Sequence, residues 1–182
     1  MPVYISLLRG INVGANKRMK MEKLRASCQA LRFEQIASYI QSGNLVLKGA
    51  KLSPAAVSRK IEKQIESDFG FHADVITRTS DELRKIIRLN PLLKDTDVDQ
   101  SKLHVVFLSD MPSAESRRKL QSLTLAPDRV WVSGQEIYFY FPNGVSGSSL
   151  WKHNLDRVIG VTGTMRNWNT VNKLTEMADK CG

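Results

Sequence analysis

Two short polar segments of this chain have the residues to do chemistry: Arg9-Gly10-Ile11-Asn12-Val13-Gly14 and Gln41-Ser42-Gly43-Asn44. They hold a guanidinium fork, three carboxamides, a hydroxyl, and glycines that let backbone N–H groups come close to a ligand. Lys17, Arg18 and Lys20 follow the first segment, near the expected start of a helix, where the helix terminus adds partial positive charge. Cations, amides and open N–H groups together make a cradle for phosphate or carboxylate. The spacing of Gly10 and Gly14 fits neither a Walker loop nor a dinucleotide fingerprint. The same residues could equally serve structure alone, with the glycines at turns and Asn12 capping backbone. The candidate ligand-binding set is Arg9, Asn12, Gly14, Lys17, Arg18, Gln41, Ser42 and Asn44.

Secondary candidates lie later in the chain: Asn143 in Pro142-Asn143-Gly144, and Arg166 and Asn167 in Arg166-Asn167-Trp168-Asn169. Here the structural reading comes first, with Trp168 as a packing anchor and Asn167 or Asn169 as the N-cap of a terminal helix. No catalytic constellation stands out. His72, His104 and His153 are scattered, and no His-Glu or Cys-Cys spacing suits a metal. Ser42 and Ser133 each precede a glycine, but the flanking residues do not spell a nucleophile elbow. No metal is expected, and neither a cofactor nor a catalytic residue can be named. Cys28 falls on an apolar helical stripe and reads as a small buried hydrophobe; with Cys181 as the other cysteine there is no disulfide framework.

The net charge of +9 is unevenly spread. Residues 1–60 hold 11 Lys and Arg against two acids, Glu22 and Glu34, while residues 61–182 hold 16 of each sign. Such asymmetry fits a face that meets an anion, and it also fits a solvated basic surface that aids solubility. The first residues lack a basic stretch ahead of a long apolar run, which argues against a secretory leader. No apolar run approaches the roughly 18 residues of a membrane span. A reducing cytoplasm and no membrane are the expectation.

Positioning these residues is the task of the regular elements. Val3–Arg9 reads as a buried strand, and Met21, Leu24, Cys28 and Leu31 mark an amphipathic helix. Ile36–Gln41 and Leu45–Lys48 are strands around a tight turn, Ser53-Pro54 opens a second helix, and Ala73–Thr77 returns as a strand. That is βαββαβ, the ferredoxin-like order. A capping-box helix from Thr79-Ser80-Asp81-Glu82 connects to a second copy. Its strands are Leu103–Leu108, Val130–Ser133, Ile137–Phe141 and Thr162–Arg166, with helices over Ser113–Leu123, Ser149–Ile159 and Trp168–Lys180. The expected fold is α+β: two ferredoxin-like halves related by duplication, 1–79 and 80–182, plus a C-terminal helix.

In a ferredoxin-like sheet the first and third strands are antiparallel neighbours, so Arg9–Gly14 should leave strand one at the rim where Asn44 opens strand three. Four blocks resemble the signature blocks of the bacterial domain-of-unknown-function 1697 family: residues 7–14, 39–44, 142–144 and 164–171. Ala15 stands where that family usually has a second glycine, and Met165 where a threonine often precedes the arginine. The resemblance implies a bacterial, cytosolic α+β protein and supplies no mechanism.

The reading from the residues is a binding protein for a phosphorylated or other anionic ligand, nucleic acid included, at the rim formed by the two loops. An enzyme acting on a small polar metabolite at the same rim is the alternative from a second class. An interaction or assembly module is a third. Tyr138 and Tyr140 share one face of a strand, as base-stacking residues of RNA readers do, but they lie in the neutral half and the RNP1 pattern is missing.

Overall fold

The computed structural model describes residues 1–182. The chain runs through β1 (Val3–Leu8), α1 (Met21–Ala30), β2 (Glu34–Tyr39), β3 (Asn44–Lys48), α2 (Pro54–Phe69), β4 (Val75–Thr79) and α3 (Ser80–Arg88). After two short 3₁₀ turns it continues through β5 (Leu103–Leu108), α4 (Ala114–Gln121), β6 (Arg129–Ser133), β7 (Glu136–Tyr140), α5 (Leu155–Ile159), β8 (Gly163–Asn167) and α6 (Trp168–Cys181). The first sheet has the order β2-β3-β1-β4 and the second β6-β7-β5-β8, every neighbouring pair antiparallel. Both are the ferredoxin-like arrangement, and each βαββαβ unit is followed by one helix. The repeat extends to single hydrogen bonds. Leu8 N donates to Gly43 O and Arg9 N to Asp74 O in the first copy, while Leu108 N donates to Gln135 O and Ser109 N to Thr162 O in the second.

Two compact units result, Met1–Lys85 with Lys173–Gly182, and Ile86–Asn172. The chain therefore passes between units inside α3 and inside α6, and the last turns of α6 group with the first unit. There Lys48 Nζ donates to Cys181 O at 3.0 Å, and Arg84 pairs with Asp179.

In the first unit Leu24 and Cys28 of α1 and Val57, Ile61 and Ile65 of α2 bury against Tyr4, Leu8, Leu45, Leu47 and Val75. Each fully buried aliphatic side chain of this kind contributes about 1.5–3 kcal/mol. Polar groups in this layer are matched rather than stranded. Tyr4 Oη accepts from Leu52 N at 2.8 Å, and Thr77 Oγ1 lies 2.9 Å from both Ser6 Oγ and Ser58 Oγ. Burial pushes the Cys28 thiol up to about 12, with the Asp68 charge adding to the rise. In the second unit Val106, Leu108, Ile137, Phe139, Phe141 and Leu150 form the core. His104 packs edge-on to Phe141, ring centroids 5.3 Å apart, and burial lowers its pKa, as suits a packed histidine.

The helix expected over Ser149–Ile159 is broken. Residues 149–152 form a 3₁₀ turn capped by Ser148, whose Oγ accepts from Leu150 N, and α5 starts afresh after Asn154, whose Oδ1 accepts from Arg157 N. Two side chains that compete for backbone N–H groups divide the segment. The two copies also differ in the connection that follows their first strand: residues 9–20 in the first, only 109–113 in the second.

Gly43 has φ +77, and a Cβ there would lie 2.6 Å from Leu8 Cβ; Gly134, in the β6–β7 turn, has φ +59 and nothing nearer than 3.8 Å. Gly43→Ala should therefore cost roughly 2–5 kcal/mol, left-handed strain plus overpacking, against about 1–2 kcal/mol for Gly134→Ala, as read by urea unfolding. Of the two free cysteines, Cys181 should react with a thiol reagent in the native protein, whereas Cys28 should react only after denaturation.

Candidate anion-binding rim

The pairing of β1 with β3 sets Leu7 opposite Asn44, and Leu8 N donates to Gly43 O at 2.8 Å. Arg9–Gly14 and Gln41–Asn44 therefore leave the sheet at one rim, as the fold geometry predicts. A single side chain joins them. Asn12, at φ 55, donates from Nδ2 to Met19 O at 2.9 Å and to Gln41 O at 2.8 Å, while its Oδ1 accepts from Met19 N at 2.7 Å. Its backbone N–H closes the loop on Lys17 O at 3.1 Å. Asparagine is among the few residues other than glycine that tolerate this backbone region, and its amide supplies donor and acceptor together. Ile11 and Met19, both buried, anchor the loop ends in the core.

Asn44 is wholly buried, and its Nδ2 donates to Tyr39 O at 3.1 Å and to Ser42 Oγ at 2.9 Å. Asn12 and Asn44 thus carry the structural role that the sequence allowed them: they shape the rim. What they shape is a cavity of about 610 Å³ lined by Asn12, Gly14, Arg18, Met19, Lys20, Lys23, Gln41 and Phe69. Arg18, Lys20, Lys23 and Gln41 are exposed there, and no lining residue is a carboxylate. Lys20 stands at the N-cap of α1, which no side chain caps. Asp68 lies just outside the lining. Hydrogen bonds from Gln64 and Ser27, and then the Lys23 charge, hold its carboxyl below the usual range.

Of the candidate set, Asn12, Gly14, Arg18 and Gln41 line the cavity, while Arg9, Lys17, Ser42 and Asn44 do not. Met19, Lys23 and Phe69 went unread in the sequence. Lys23 lies three residues beyond Lys20 on the same helical face, which could have flagged it. Phe69 ends α2 at the spacing of the buried Val57, Ile61 and Ile65, which marks a core position and hides a cavity-lining one.

The secondary candidates belong to the second unit. Asn143 is exposed in the turn after β7. Asn167 caps α6, its Oδ1 accepting from Thr170 N at 2.8 Å, and Trp168 is buried. Arg166 is buried in β8, donating to Thr164 Oγ1 and Met165 O, both at 2.8 Å. Desolvation brings its pKa down to about 10, so it stays cationic at neutral pH. Its counterpart is Arg78, buried at the equivalent register position.

The model of a family described as protein of unknown function (DUF1697) matches residues 1–138, which include both rim segments. The chain belongs to the DUF1697 family. The blocks at 142–144 and 164–171 fall beyond the matched residues. Among solved structures, a conserved bacterial protein from Streptococcus pneumoniae is similar at 22% identity and TM-score 0.78, over 97% of this chain and 98% of that one. At that identity the likeness is one of fold. No curated protein matches. No helix of this family member is long and apolar enough to cross a membrane.

Asn12→Asp keeps the acceptor for Met19 N but removes both donors and sets a carboxylate oxygen against two carbonyls. It should destabilise the first unit by about 1–3 kcal/mol, measured by denaturant unfolding, and speed amide exchange across residues 12–19.

Proposed function

We propose that this protein binds a phosphorylated or otherwise anionic ligand in the rim cavity between the 9–20 connection and the Gln41–Asn44 turn. The observation that carries this reading is the lining itself: three exposed cations from one loop and one helix turn, no carboxylate among the lining residues, and an amide-bearing opposite side. Charges of one sign gathered in a concave site reinforce each other's field toward an incoming anion.

The length of the connection points the same way. The second copy closes the same strand–helix step with residues 109–113, so the fold does not require a segment as long as 9–20. Ordering backbone costs about 1–2 kcal/mol per residue. The Asn12 amide bonds and the buried Ile11 and Met19 offset part of that cost. A segment longer than its scaffold needs, and held in place, is where binding groups are usually carried.

Pyrophosphate titrated into the full chain by calorimetry tests the reading. Binding should weaken as salt rises, and the triple substitution Arg18→Ala, Lys20→Ala, Lys23→Ala should weaken it at least tenfold while leaving the unfolding midpoint nearly unchanged. Equal binding by the triple variant, or none by the wild type, would remove the site.

A further inference from the structure

The rim cavity has a second wall that an anion alone does not use. Phe69, the last residue of α2, lines it together with Met19, and the other lining side chains are polar or cationic. The Phe69 ring is half-buried and backed by Phe71, ring centroids 6.1 Å apart at 50°, so its place in the wall is supported by a second aromatic. The cavity's about 610 Å³ is far more than a lone phosphate fills and lies in the range of pockets that hold drug-sized molecules. Gln41 adds an exposed carboxamide, which offers a donor and an acceptor side by side.

We infer that the cavity takes a nucleotide: the base against Phe69, the phosphate on Arg18, Lys20 and Lys23, and the Gln41 amide at the base edge. This inference rests on the anion-binding reading above and adds the ligand's class and orientation. A flat aromatic ring joined to a phosphate by a short sugar is the chemistry that uses both walls at once, since every base presents a face to an aromatic side chain. A free nucleotide and the phosphorylated end of a nucleic acid share that chemistry.

The test compares the four ribonucleoside 5′-monophosphates with ribose 5-phosphate on the full-length protein, by calorimetry and by proton NMR of the ligand. At least one nucleotide should bind about tenfold more tightly than ribose 5-phosphate, with its base protons shifted upfield by the Phe69 ring. Phe69→Leu should bring that nucleotide down to the ribose 5-phosphate level while ribose 5-phosphate binding holds. The wild-type comparison stands even if the variant folds poorly. Equal affinity for nucleotides and ribose 5-phosphate overturns the nucleotide assignment and leaves the phosphate reading intact; no binding of either overturns both. A 5′-phosphorylated tetraribonucleotide separates the two sources. Affinity tenfold or more above the best mononucleotide assigns the site to a nucleic-acid end, and equal or weaker affinity assigns it to the free nucleotide.

Discussion

The antiparallel register of β1 against β3 is the constraint on which the rest of the rim depends. With Leu7 opposite Asn44 and Leu8 bonded to Gly43, the chain can leave β1 only beside the turn that enters β3. A slip of one residue would turn Tyr4, Leu45 and Leu47 away from α1 and α2, so the buried face enforces the register. The close approach of Gly43 to Leu8 then disfavours any side chain at position 43. Packing on one side of the sheet thus fixes the placement of two polar loops at its rim.

Given that placement, Asn12 turns proximity into a surface. Its one amide reaches the backbone of both loops, and the exposed groups of Arg18 and Lys20 are carried by a segment anchored by the buried Ile11 and Met19, with Lys23 on the first turn of α1. The division of labour is clear in physical terms. Short amides with limited reach are spent on backbone, while the long cationic side chains remain in solvent, where they can reorient around a ligand.

Much of this was legible in the residues. The Ser53-Pro54 start of α2, the capping box in which Glu82 Oε2 accepts from Thr79 N, and the Asn167 cap of α6 all rest on local chemistry, and each formed as read. Local signals also gave the βαββαβ order, and from that order the meeting of the rim loops. Cases in which one residue type serves two ends resisted reading. Asn12 and Asn44 look alike as ligand groups and as loop braces, and only their hydrogen bonds and burial distinguish the roles. Phe69 sits at core spacing yet lines a cavity, because the helix ends there and leaves one side of the ring uncovered. The division of Ser149–Ile159 was hidden for a related reason: Ser148 and Asn154 offer caps within a continuous apolar pattern, and the caps prevailed.

The unequal connections after β1 and β5 have a consequence for how such a protein changes over generations. Twin scaffolds hold the same topology, and each sheet pairs within its own copy, so a change in one copy's loops leaves the strand pairing of the other untouched. Here the later copy makes the strand-to-helix step with a minimal turn, and the earlier copy carries the elaboration of additional residues. Grafting the 109–113 turn onto the earlier copy would subtract the elaboration alone, and the reverse graft would show whether a bare ferredoxin-like edge can acquire a recognition surface in a single step.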